Sequence, residues 1–151
     1  AFGYIGVPMK DSLPTRASLV TLALVALSLP AVSADYDGSK TLMCATRYIS
    51  QCDAGTDCVN VVPASVNIPD FFVINVSDKL ISAINDQRTT AIEHVEHIDG
   101  KLMLLGADDG VEDVRDGMAW SMSINEETGR MVLSASGDGF AMVVFGACAV
   151  K

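Results

Sequence analysis

The chain has 151 residues, half of them hydrophobic, with 10 basic and 19 acidic side chains and a formal net charge of −9. That length suits a single domain with a core of its own. The acidity excludes duplex nucleic acid and anionic membrane surfaces as partners, because both need clustered Lys and Arg to neutralise phosphate.

From Met9 the sequence has the three parts of an export signal. Lys10 and Arg16 form a basic start, Leu19 to Leu27 is apolar, and Pro30 is followed by small residues at Val32, Ser33 and Ala34. The apolar run, about 11 residues before Ser28 and Pro30, is shorter than the roughly 20 that a spanning helix needs. The reading divides the chain into residues 1–8 as upstream translation, 9–34 as a signal peptide cut after Ala34, and 35–151 as one exported domain. That domain holds 117 residues with 8 basic and 18 acidic groups, a net charge of −10. No cysteine follows Ala34, so no lipid anchor is expected. The expected product is a soluble monomer, periplasmic or secreted, with no membrane contact after cleavage.

All four cysteines, Cys44, Cys52, Cys58 and Cys148, lie in the exported part. An even count in an oxidising compartment reads as two disulfides, with three connectivities open to sequence. Cys52 and Cys58 flank a turn-forming segment, Asp53 to Asp57, which favours their pairing and leaves Cys44 with Cys148. A zinc site is the poorer reading, since no Cys-x-x-Cys pair occurs.

The exported part then reads as strands separated by turns. Thr41 to Ser50 is the first, and Phe71 to Val76 is the second, rich in aromatic and branched residues. After a turn at Ser77 to Lys79, Leu80 to Ile84 fits a strand better than a short capped helix. Ala91 to Ile98, Asp99-Gly100 and Lys101 to Leu105 form a hairpin pattern, Asp-Gly being suited to positive backbone angles. Trp120, Met122 and Ile124 alternate with serines, Thr128-Gly129 turns the chain, and Met131, Leu133 and Ala135 return on one face. After Gly137 to Gly139 the last strand, Phe140 to Val150, is apolar on both faces. Such a strand needs cover or partners on both sides. The expected fold is therefore all-β: an antiparallel meander of about 7–8 short strands, closing on its first strand as a small closed or partly open barrel stabilised by disulfides. A two-sheet sandwich is the alternative.

Candidate sites are few. His94 and Glu96 share a strand face, whereas His94 and His97 alternate and cannot hold one ion. Asp108, Asp109, Glu112, Asp113 and Asp116 form an oxygen-rich stretch, yet without the order of a calcium loop, so it reads as a solvated turn. Asn75-Val76-Ser77 fits a glycosylation acceptor that chance supplies often. Met103, Met122, Met131 and Met142 fit strand alternation as core filling. With no nucleophile elbow, phosphate loop or zinc-protease motif, no catalytic residue, metal or cofactor is assigned and no enzyme is expected.

The run Trp120-Ser-Met-Ser-Ile-Asn-Glu-Glu-Thr-Gly-Arg130, with Asp138-Gly-Phe140 and Phe145-Gly-Ala-Cys148, resembles short exported proteobacterial proteins ending in a Phe-Gly-Ala-Cys segment. The likeness spans Leu42 to Ala149 and implies export and a β-rich disulfide fold, with no activity and no functional residues. Three functions are compatible with the sequence. In order, they are an acidic interaction module, inhibitor-like toward a basic partner, a barrel for a small apolar ligand, and a metal carrier or weak enzyme using His94 and the acidic loop. Mass spectrometry of the exported protein should find Asp35 at the N-terminus; a mature product retaining residues before Ala34 contradicts the cleavage reading.

Overall fold

The computed structural model describes residues 35–85, 87–110 and 113–151. Residues 1–34, expected from the sequence to be upstream translation and an export signal, lie outside the described residues. Among the described residues ten strands are present: β1 Leu42–Asp53, β2 Val59–Val61, β3 Phe71–Asn75, β4 Leu80–Ala83, β5 Thr89–Ala91, β6 His94–Ile98, β7 Lys101–Asp108, β8 Met118–Asn125, β9 Arg130–Ser136 and β10 Phe140–Val150. One 3-10 turn, Pro63–Val66, follows β2.

All pairings are antiparallel, and the strands form one sheet in the order β5-β4-β3-β1-β10-β9-β8-β7-β6, with β2 alongside β1. The sheet curls as a half-barrel, and the two strands at its ends are consecutive in the chain, with only Ile92 and Glu93 between them. Those two residues bond to opposite ends of the sheet: Ile92 N donates to Lys79 O at 2.9 Å and Glu93 N to Leu105 O at 2.9 Å. The curled sheet is the partly open barrel expected from the sequence, and the alternative two-sheet sandwich is not formed. The expected single strand from Ala91 to Ile98 is split here, because its first part follows β4 and its second follows β7.

Closure on the first strand runs through β1 and β10. Their ladder extends from Leu42↔Val150 to Asp53↔Phe140, and Cys44 lies directly opposite Cys148. The Cys44–Cys148 disulfide (2.04 Å) spans 104 positions and is buried at the inner face. A bulge between Thr46 and Tyr48 inserts Arg47 without a partner in β10. Adding one residue reverses the alternation. Leu42 and Cys44 point inward before the bulge, Ile49 after it, so both halves of β1 contribute to one interior. Thr46 is held there by Asp70 O and Pro69 O, at 2.9 Å to its N and 3.0 Å to its Oγ1. Beyond the bulge β1 leaves β3 and pairs with β2, which sequence reading did not anticipate. The Cys52–Cys58 disulfide (2.02 Å) sits just past the Gln51↔Val59 pair and closes this extra hairpin.

The interior rows alternate as the sequence suggests. Trp120, Met122 and Ile124 of β8, Met131 and Ala135 of β9, and Met142, Val144 and Cys148 of β10 are all buried. Met103 departs from expectation: it belongs to the outward row of β7, between Glu96 and Ser123, and is only half-buried. The opposite face of β10 carries Phe145, 43 % exposed, against Tyr48 with ring centroids 5.9 Å apart. This strand avoids being an aggregation edge because β1 and β9 pair with it on both sides.

One end of the curl is covered by the segment before β1. Gly38 lies against Val76 and Leu102, and the Tyr36 ring reaches Gly129. Asp37 holds this segment's turn, accepting from Ser39 N at 2.9 Å. Hydrogen bonds from the Ser39 side chain and backbone keep its carboxyl below the ordinary aspartate range.

In the loop-entropy account, a closed loop of 104 positions contributes about 4–5 kcal/mol, against about 2 for a six-residue span. Urea unfolding of Cys44→Ala/Cys148→Ala should therefore show the larger loss, and Cys52→Ala/Cys58→Ala the smaller. Equal losses would contradict the role given to the β1–β10 bridge.

Candidate functional site

The inward residues divide along the strands. Toward the covered end, Leu42, Cys44, Ile74, Leu102, Ile124 and Val144 fill the interior and are at most 1 % exposed. Toward the other end the walls stand apart and enclose a cavity of about 570 Å³. That is within the range of small-molecule sites, about 300–1,000 Å³. Its apolar wall comes from Phe72 of β3, Ile81 of β4, Met118, Trp120 and Met122 of β8, Leu133 of β9, and Phe140 and Met142 of β10. Val66, Ile68 and Pro69, from the loop that carries the 3-10 turn, line the opening.

Strand register explains how the wall is built. Gln51, Met142, Ala135, Trp120 and Gly106 are successive partners across β1, β10, β9, β8 and β7, so they form one row around the interior. Trp120 is flanked in this row by the two smallest side chains, Ala135 and Gly106. At Gly106 a Cβ would stand 2.4 Å from Trp120 Cζ2 and 2.6 Å from Ala91 O. The absent side chain lets the indole lie against β7 and β7 approach β5 where the sheet curls round.

Trp120 is 7 % exposed, and its Nε1 is buried with no hydrogen-bond partner among the described residues. A buried donor left without an acceptor costs about 1–3 kcal/mol.

The mouth is polar. Asp53 and Asp108, at the ends of β1 and β7, Asp116 and Asp138, just before β8 and β10, and Arg88 and Asn67 all line it. Arg88 Nη1 donates to Asn67 O at 2.8 Å, which ties the loop after β4 to the loop after β2. Asp108 Oδ1 accepts from Gly110 N at 2.9 Å.

The sequence-derived candidates are only partly brought together here. Of the acidic stretch, Asp108 and Asp116 reach the cavity mouth, Asp109 and Asp113 are exposed, and Glu112 lies outside the described residues. Asp108 had a legible signal: it continues the inward alternation of Leu102, Leu104 and Gly106. His94 and Glu96 are exposed on the outer face of β6, opposite Leu105 and Met103, whereas Asp108 belongs to the inward row of β7. His94 and Asp108 are therefore on opposite faces of the sheet. His97 is engaged elsewhere, its Nδ1 2.6 Å from Glu126 Oε1. All four cysteines are in disulfides, and among the described residues no three His, Cys, Asp or Glu side chains converge as a metal site. Comparison with known proteins finds no matching family model, no matching curated protein and no matching solved structure.

Gly106→Ala should destabilise the domain by about 1–3 kcal/mol, as overpacking in a close-packed wall does. It should also shift the emission of Trp120, the only tryptophan. Wild-type stability with unchanged emission would contradict the packing described for this row.

Proposed function

We propose that the protein is a carrier that binds a small, largely apolar molecule inside the curled sheet. The observation that carries the reading is the cavity of about 570 Å³ at one end of the interior. Its wall includes the same tryptophan, phenylalanine and methionines that would otherwise have filled a solid core. An apolar cavity of this size gains by exchanging poorly bonded water for ligand surface, and small barrels with an open interior serve this purpose. The polar mouth adds orientation, because few polar groups around an apolar pocket suffice to fix a ligand's direction. The two disulfides suit work in an oxidising extracytoplasmic compartment, in keeping with the export signal at residues 9–34.

An acidic module for a basic protein partner is the second reading, supported by the net charge of −10 on residues 35–151 and by the carboxylates at the mouth. It predicts a salt-sensitive complex that the cavity ligand does not need to enter.

The carrier reading is tested with N-phenylnaphthylamine, a neutral apolar fluorophore that accepts energy from tryptophan. Binding should quench Trp120 and brighten the probe with a stoichiometry of one. Ala135→Phe, which places a ring in the Trp120 row, should weaken binding by about tenfold or more, equivalent to about 1.4 kcal/mol. Absence of energy transfer in wild type, or undiminished binding in a folded Ala135→Phe variant, would falsify the reading.

A further inference from the structure

We infer that the outer face over the β1–β10 seam is a dimer interface, on which two copies of this chain meet outer face to outer face. This replaces the monomer expected from the sequence. The contact lies on the opposite side of the sheet from the cavity, so it stands or falls independently of the carrier reading.

The alternation that sends Ile49, Met142 and Val144 inward sends a second apolar set outward. On β10 that set is Ala141, Val143, Phe145, Ala147 and Ala149, without one polar member. Register extends it sideways. Tyr48 pairs with Phe145 and Phe145 with Val132, and in the next row Phe71, Ala45 and Ala147 are successive partners ending at Arg130. Tyr48, Phe71 and Phe145 are 48, 46 and 43 % exposed, and Met43 and Val132 are exposed beside them. At about 150–250 Å² for a whole aromatic side chain, the rings and their aliphatic neighbours present roughly 500 Å² of apolar surface, near the upper limit of what a monomer leaves open, about 300–600 Å². Covered from both sides, the face gives about 1,000 Å², the least that a specific interface needs.

Shape and charge make a second copy the occupant. The Tyr48–Phe145 pair stands as a ridge, and Ala45 and Ala147, beside it on the same two strands, form a floor of equal width. A two-fold axis sets the ridge of each copy on the floor of the other, the exchange of contacts that an isologous interface requires. The ridge is ordered beforehand, Tyr48 Oη donating to Asn60 Oδ1 at 2.5 Å, so less rotamer freedom is lost on association. Residues 43–50, 130–136 and 141–150 contain two arginines, Arg47 and Arg130, and no Asp or Glu, whereas residues 35–151 have 18 acidic groups. Two chains of net charge −10 therefore meet here with little repulsion. A basic partner finds no carboxylate on this face to pair with, and an anionic membrane is opposed by the charge of the whole domain.

Sedimentation equilibrium of the purified protein should show a monomer–dimer equilibrium that salt shifts toward dimer, by screening the repulsion between like-charged copies. Tyr48→Ser/Phe145→Ser removes the ridge, and Ala147→Gln fills the floor. Each should weaken the dimer about tenfold or more, with unchanged emission from the inward-facing Trp120 showing that the variant is folded. A chain that stays monomeric at about 1 mM, or that leaves the monomer state only on lipid vesicles, overturns the inference. So does a dimer that salt dissociates, or one undiminished in either folded variant.

Discussion

The pairing of β1 with β10 is the constraint on which the rest of the structure depends. It joins the first long strand to the last, so that every strand between them must curl to meet the ladder, and it gives the sheet an inside. Both strands are long, and their ladder runs the height of the domain from Leu42↔Val150 to Asp53↔Phe140. The Cys44–Cys148 bond crosses this ladder at the inner face. By limiting the unfolded chain, it offsets part of the loop entropy that a first-to-last contact costs. The bulge at Thr46/Tyr48 is what allows one strand to serve both ends of the interior. Without the parity change the residues after it would present Tyr48 and Ser50 to the inside instead of Ile49 and Gln51.

Once there is an inside, side-chain size along each strand decides what it becomes. At the covered end, Leu42, Leu102, Ile124 and Val144 meet across the interior, and the segment from Tyr36 to Gly38 packs beneath them. At the other end the row through Trp120 alternates one large side chain with Ala135 and Gly106, and the last residues before the mouth are Asp53 and Asp108. Carboxylates do not fill an apolar space, and the cavity opens where they stand. The loops carrying Arg88 and Asn67 bound the opening without closing it.

Much of the fold was legible because period-two alternation and turn chemistry are local signals. Asp99-Gly100 does turn a hairpin, with φ of 50° and 68°, and Trp120-Met122-Ile124 does face inward. The cysteine pairing was legible from a short loop and from what it left over. Three features were not. β2 is only three residues long and is held by its disulfide and by β1, neither of which its own sequence displays. The step at Ile92–Glu93 arises because the two edges of a curled sheet diverge there, while the sequence continues as one strand. Met103 sits on the outward row because its register in β7 is fixed by Leu102 and Leu104 on the other face. The cavity was hidden for a related reason. Trp120, Phe140 and Met142 look the same whether they fill a core or line a hollow, and the difference depends on their cross-strand neighbours.

The central claim is that the interior is packed at one end and hollow at the other, and the methionines report on both. With methyl-labelled methionine in an NMR titration with N-phenylnaphthylamine, Met118, Met122 and Met142, which line the cavity, should shift on binding. Met131, buried toward the packed end, and Met43 and Met103, outside, should not. Uniform or absent shifts, or shifts confined to Met43 and Met103, would contradict a hollow end and place any binding on the outer face.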